Sequence, residues 1–275
     1  MNALAGMRVV SLAINVPGPV AAAALRDLGA RVCKIEPPAG DPLAQFSQPW
    51  YDRLCGGIDV VTLDLKSTEG MAELKKQLHD ADLLLTASRP AALSRLGLDW
   101  PRLHTTFPRL CHVGIIGYPP PHENLAGHDL TYQASQGTLQ PPAMPKVLLA
   151  DMAGAQQAVT AALALLLTRE RNGEAGQSWV ALADAAARFA VTLRENVTTP
   201  GAILGNGLPT YNIYATKDGH IALAALEPHF HTRLLDALQV TTTTEAQLEE
   251  FFGHRDSAES LAWAEEHDIP LAVVK

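Results

Sequence analysis

Along the first 120 residues, short apolar runs alternate with longer mixed stretches. MRVVSLAI (residues 7–14) reads as a buried strand, and PVAAAALRDLG (19–29) reads as a helix closed by Gly29. RVCKIE (31–36) is a second strand, so the opening predicts a βαβ unit. The alternation continues with a third strand at 59–65 (DVVTLDL), a helix at 68–81 (TEGMAELKKQLHDA), a fourth strand at 82–87 (DLLLTA) and a fifth at 109–118 (RLCHVGIIGY). Strands and helices in this order predict an α/β fold built on a mostly parallel sheet with helices on both faces. In such folds ligands sit beyond the carboxyl ends of the strands.

Composition narrows the function classes. A chain of 275 residues with 47% hydrophobic content buries a sizeable core, and a net charge of -8 disfavours nucleic acid and anionic membrane as partners. Cys33, Cys55 and Cys111 are odd in number and lack C-x-x-C spacing, which points away from disulfides and zinc and toward free thiols in a reducing compartment. The apolar N-terminal run is interrupted by Pro17 and Pro19 and followed by Arg26 and Asp27, so it reads as strand, turn and helix rather than a signal peptide. The later run AVTAALALLL (158–167) is too short to span a bilayer. A cytoplasmic location is the expectation. The fold is Rossmann-like, yet NVPGPVAAA follows the first strand where a dinucleotide site carries G-x-G-x-x-G, so no nicotinamide or flavin is expected. Pro19 there serves as helix-initiating punctuation.

Two segments carry candidate chemistry. AGHDLTYQASQG (126–137) places His128 beside Asp129 among small and apolar residues, and Asp151 directly precedes MAGAQQAVTAALALLL, a predicted helix. On the residues alone, Asp151 reads either as an N-cap or as an acid/base group, and His128 as a structural or a reactive histidine among ten. Backbone N–H groups at the helix start are candidates to receive developing negative charge, and Ala153, Gly154 and Ala155 leave room for a substrate.

Six segments in order, MRVVSLAINVPGPVAAAALRDLGARVCKIEPPAGDPL, TLDLKSTEG, SRPAALSRLGLDWPRL, PRLCHVGIIGY, AGHDLTYQASQG and LLADMAGAQQAVTAALALLLTRERNGEAGQSWVALADA, resemble family III CoA-transferases (the CaiB/BaiF-like superfamily) along nearly the whole chain. Gly127, His128 and Asp129, with LPTYNIYATKDGHIALAALEPHF (208–230), resemble the α-methylacyl-CoA racemase branch, and no glycine run like the transferases' loop is found between Ser178 and Gly219. The resemblance implies a catalytic pair, His128 and Asp151, with Asp129 capping or orienting the loop and Glu227 orienting the histidine. It implies Lys66, Arg89 and Arg95 near the nucleotide end of coenzyme A, positions where solvated surface charges look the same. Acyl-CoA is the implied substrate, with no cofactor beyond its coenzyme A and no metal, and the chain is expected to form an interlocked homodimer. A large CoA-binding domain is expected over 1–200 and a small domain over 205–275, shortened relative to the family after a helix and strand at 257–275. The chain departs from many relatives at Pro37 and Ala44, where they carry arginine, and at Thr86 and Ala87, where they carry Glu-Asn or Glu-Gly.

Inverting a centre next to a thioester carbonyl requires one group to take a proton from one face and another to return one to the opposite face. A neutral histidine and a carboxylic acid form such a pair. Three functions follow as expectations: a racemase or epimerase of 2-methylacyl-CoA thioesters using His128 and Asp151, a CoA-transferase with Asp151 as nucleophile through an acyl-aspartyl anhydride, and a non-catalytic CoA-binding or partner subunit.

Overall fold

In the computed structural model, which describes residues 2–275, the chain divides into two compact units, the first ending at Ala190 and the second spanning Val191–Lys275. The first unit runs β1 (Arg8–Ser11), α1 (Pro17–Asp27), β2 (Arg31–Glu36), α2 (Pro42–Phe46), α3 (Gln48–Cys55), β3 (Asp59–Thr62), α4 (Thr68–His79), β4 (Leu83–Thr86), α5 (Pro90–Arg95), α6 (Trp100–Thr106), β5 (Cys111–Ile116), α7 (Asp129–Gln136), α8 (Leu149–Asn172), β6 (Gln177–Ala181) and α9 (Leu182–Phe189). Its six strands form one sheet in the order β3-β2-β1-β4-β5-β6, every neighbouring pair parallel. The mostly parallel sheet predicted from the apolar runs is therefore present. Strand order reverses between β1 and β4, which makes the loops after those two strands the place to look for a ligand.

The central strands β4 and β5 are buried along their whole length, as expected of a parallel sheet covered on both faces. One core gathers Val9, Val32, Leu83, Leu85, Val113 and Ile115 with α1 and α8, and the opposite face gathers Val10, Ile35 and Leu84 with α4, α5 and α6. Two elements differ from the sequence expectation. The third strand covers only Asp59–Thr62 and is exposed throughout, because it is an edge strand paired on one side alone; Leu63 and Leu65 leave the ladder and pack against the second core. The first helix starts at Pro17, with Pro19 already inside its first turn.

Helix α8 is long and apolar enough to cross a membrane by length and composition. Here Ala150, Ala153, Ala155, Ala158, Ala162 and Leu166 bury a small-residue stripe against α1, α9 and the sheet, so it is the central helix of this unit.

The second unit contains α10 (Val191–Arg194), β7 (Tyr211–Ala215), β8 (His220–Ala224), α11 (Pro228–Leu238), α12 (Glu245–Gly253), α13 (Ser257–Glu266) and β9 (Leu271–Val273). Its three strands pair antiparallel in the order β7-β8-β9. Tyr214, Ile221, Leu223, Leu234, Leu248 and Phe252 form a separate core, giving this unit the α+β character expected of the small domain. The helix and strand anticipated within 257–275 are α13 and β9, and α13 begins with a capping box in which Asp256 accepts from the Glu259 N–H.

Candidate active site

Beyond the carboxyl ends of β1, β4 and β5, the first unit holds a cavity of about 250 Å³. The β1–α1 corner contributes Ile14, Asn15 and Pro17, the segment after β4 contributes Ala87 and Arg89, and the end of β5 contributes Ile115, Ile116 and Gly117. The rest of the wall includes Gly127, His128, Tyr132, Asp151 and Leu182. The two groups singled out as an acid/base pair, 23 residues apart in sequence (151 minus 128), thus face one space.

His128 is exposed and stands at the N-cap of α7 in an extended conformation. Its backbone N–H donates to Thr131 Oγ1 at 3.0 Å and its carbonyl accepts from the same hydroxyl at 2.8 Å, so the main chain is fixed by a local loop of hydrogen bonds. Asp151 is half-buried and lies within the first turn of α8. The helix begins at Leu149, so the N-cap reading of Asp151 fails: Leu148 holds that position.

The cap comes instead from another helix. Asp129, buried in the first turn of α7, accepts from the N–H groups of Ala150 at 2.7 Å and Asp151 at 3.1 Å through Oδ1, and from Gln133 Nε2 at 2.6 Å through Oδ2. A buried carboxylate at a helix start satisfies donors that have no partner within the helix. Two expectations are corrected by this arrangement. These two N–H groups at the start of α8 are already bonded to Asp129 and are not free to receive charge from a substrate. The small residues Ala153, Gly154 and Ala155 are buried and serve packing: a Cβ at Gly154 would stand 2.2 Å from Leu182 Cδ2 of α9.

Burial, with the negative charge of Asp129 second, pushes the Asp151 carboxyl up from 3.8 to about 7. An ordinary surface aspartate is fully ionised near neutrality, whereas this one exchanges its proton there.

Other walls were not legible as site residues in the sequence. Asn15 adopts a left-handed φ of 68°, and its N–H donates to Asp41 Oδ1 at 2.9 Å. Asp41 also accepts from the Leu43 N–H, capping α2, and its other oxygen accepts from the fully buried Lys34 ammonium at 2.7 Å. Lys34 additionally donates to Glu36, which accepts from the Tyr51 hydroxyl. This buried ionic cluster anchors the corner that lines the cavity. Thr86 is buried and hydrogen-bonded to His112 Nε2 at 2.9 Å.

A second cavity of about 260 Å³ lies next to the first, sharing Ile14. Its wall is mostly apolar, with Pro37, Pro38, Leu63 and Leu93, and carries Lys66. Of the three cations assigned by resemblance to the nucleotide end of coenzyme A, Lys66 lines this groove, Arg89 lines the cavity of His128 and Asp151, and Arg95 is exposed in the last turn of α5 and lines neither. Glu227 belongs to the second unit, exposed at the N-cap of α11. Among the described residues no group of three or more His, Cys, Asp or Glu side chains is placed to hold a metal ion.

The sequence profile of CoA-transferase family III matches residues 4–275. The chain belongs to that family. This member is 30% identical to human alpha-methylacyl-CoA racemase over 256 residues, which cover 86% of this chain and 65% of the racemase. It is 28% identical over 256 residues to succinyl-CoA–D-citramalate CoA-transferase of Chloroflexus aurantiacus, covering 84% of this chain and 64% of that enzyme. The chain therefore spans slightly less than two thirds of the length of these curated relatives. Among solved structures, a hypothetical protein of Mycobacterium tuberculosis superposes with a TM-score of 0.86 at 25% identity, over 100% of this chain and 84% of that one. Both racemases and CoA-transferases thus stand among the relatives of this family member.

Proposed function

We propose that this chain carries the active site of a racemase or epimerase acting on 2-methylacyl-CoA thioesters. The observation that supports this reading is a carboxyl titrating at about 7, that of Asp151, on the same small cavity as His128. Acid/base catalysts work best with a pKa near the operating pH, because both protonation states are then populated. In one direction His128 takes the α-proton, the C–H electron pair forms a carbon–carbon double bond as the carbonyl π pair moves onto oxygen, and the α-carbon of the resulting enolate receives a proton from the Asp151 carboxyl on the other face. The opposite direction exchanges the two roles, and proton exchange with water restores the starting forms.

In this reading the acyl-CoA lies across the Ile14 divide, with its thioester between His128 and Asp151 and its coenzyme A toward the groove that bears Lys66. Arg89 and Arg95 remain proposed contacts to the coenzyme. Glu227 as the residue that orients His128, and a homodimer as the assembled form, rest on the racemase resemblance. No cofactor beyond coenzyme A enters the reaction.

A second reading is favoured by relatives such as the citramalate CoA-transferase. In it ionised Asp151 attacks the thioester carbonyl, expels CoA thiolate and forms a mixed anhydride. One experiment separates the two. The chain is incubated in heavy water with a chiral 2-methylacyl-CoA, alongside His128→Ala and Asp151→Ala, and α-hydrogen exchange is followed by NMR. Exchange with loss of optical purity, abolished in both variants, supports the racemase. No exchange, together with an acyl adduct on Asp151 trapped by hydroxylamine, supports the transferase and sinks the first reading.

A further inference from the structure

Tyr132 is one of the largest fully buried side chains of the protein, 1% exposed, and sits in α7 one turn beyond His128. Its ring meets Tyr118 edge-on with centroids 5.1 Å apart. Two glycines make its place. A Cβ at Gly117 would stand 2.3 Å from the Tyr132 hydroxyl oxygen, and one at Gly127 would stand 2.6 Å from the ring and 2.7 Å from that oxygen. Neither site accepts a side chain without moving the tyrosine.

The hydroxyl held this tightly makes no hydrogen bond to any described residue, although a buried tyrosine O–H ordinarily finds a partner. The side chain lines the cavity of His128 and Asp151, so its polar end is presented to whatever occupies that space. Burial, followed by the charges of Tyr118 and Asp151, pushes this phenol up to about 12, which keeps it a neutral donor throughout the working range. The N–H groups of Ala150 and Asp151 are already engaged by Asp129, so an enolate formed here needs a donor from elsewhere.

We propose that Tyr132 is a catalytic residue whose hydroxyl donates a hydrogen bond to the thioester carbonyl oxygen and stabilises the negative charge that collects there. As His128 or Asp151 removes the α-proton, the C–H electron pair becomes the new carbon–carbon double bond, the carbonyl π pair moves onto that oxygen, and the Tyr132 O–H shortens its hydrogen bond without giving up its proton. A buried neutral donor aimed at a developing oxyanion needs no reorganisation during the reaction. The proposal rests on the enolate reading given above.

Two measurements on the chain and its Tyr132→Phe variant test it. Phenylalanine keeps the ring against Gly117, Gly127 and Tyr118 and removes one oxygen. The first measurement is the rate of α-hydrogen exchange in heavy water with isobutyryl-CoA, with kcat and KM determined separately. Loss of one oxyanion donor lowers kcat by roughly 100- to 1,000-fold, with KM little changed. The second is the infrared carbonyl stretch of bound isobutyryl-CoA carrying carbon-13 at the carbonyl, which does not depend on turnover. The stretch lies at lower frequency in the unaltered chain than in the variant if Tyr132 donates to it. An identical frequency in both overturns the proposal whatever the exchange rates. So does a variant that keeps its rate but shifts the pH profile, because the phenol then serves Asp151 rather than the substrate. A Tyr132-dependent stretch in a chain that exchanges no α-hydrogen retains the donor and overturns only the enolate reading.

Discussion

His112 offers a quantitative test of how the scaffold behind the cavity responds to acid. It is fully buried on β5, bonded through Nε2 to Thr86 Oγ1 and through Nδ1 to Gln177 Nε2 at 2.8 Å, with Trp179 edge-on at 5.4 Å between centroids. The glutamine amide donates to Nδ1, which assigns the ring proton to Nε2 and makes Thr86 its acceptor. Burial lowers the pKa from 6.5 to about 4. Between those values the unfolded chain binds a proton that the folded chain refuses, so stability falls as pH falls through this window and is fully present above it. A shift of about 2.5 units at 1.36 kcal/mol per unit bounds the effect at about 3 kcal/mol, of which about 2 kcal/mol is lost by pH 5. His112→Gln removes the titration and retains an amide that serves both neighbours. Urea unfolding followed by tryptophan fluorescence, at half-unit steps from pH 4.5 to 7.5, gives the difference in stability between the two chains. Every other titrating group cancels in that difference. The variant is expected to gain on the parent steadily as pH drops below 6.5; a difference independent of pH refutes a buried, neutral His112.

Further outcomes follow from the same contacts. Asp129→Asn keeps an oxygen to accept from the Ala150 and Asp151 N–H groups but removes the second cause of the raised Asp151 carboxyl; its titration, read by carbon-13 NMR of labelled aspartate, moves below about 7 and stays above 3.8 because burial persists. A titration unmoved from about 7 contradicts this. Lys34→Met leaves Glu36 and Asp41 buried without their cation, and breaking a buried pair from one side costs about 3–5 kcal/mol; calorimetry is expected to show partial rescue as pH falls and the carboxylates take up protons. Gly117→Ala drives a Cβ into the Tyr132 hydroxyl, so a loss of exchange activity approaching that of Tyr132→Phe is expected, whereas unchanged kinetics speak against a fixed tyrosine.

Much of the fold was legible because apolar periodicity is a local property. Strands such as β4 and β5 are largely apolar runs in sequence and are buried along their length in space, and the absence of G-x-G-x-x-G after the first strand is read directly. The segment 126–137 announced itself through His128 and Asp129, and Asp151 through its place before an alanine-rich helix. The third strand was overextended because its residues 63–65 carry the same apolar alternation as a strand while packing elsewhere. The chemistry of the site lay beyond local pattern. Nothing near Asp151 in sequence raises its carboxyl: the shift comes from burial under neighbouring elements and from Asp129, which reaches α8 from a different helix. Tyr132 looks like any core aromatic until Gly117 and Gly127 are seen to hold its hydroxyl at the cavity wall, and Lys34 like any strand lysine until Glu36 and Asp41 surround it. Most elements were readable from the chain alone, because backbone preference and apolar spacing act over a few residues. Which groups share one cavity was set by the packing of distant segments, because desolvation and charge coupling depend on distances that chain order does not encode.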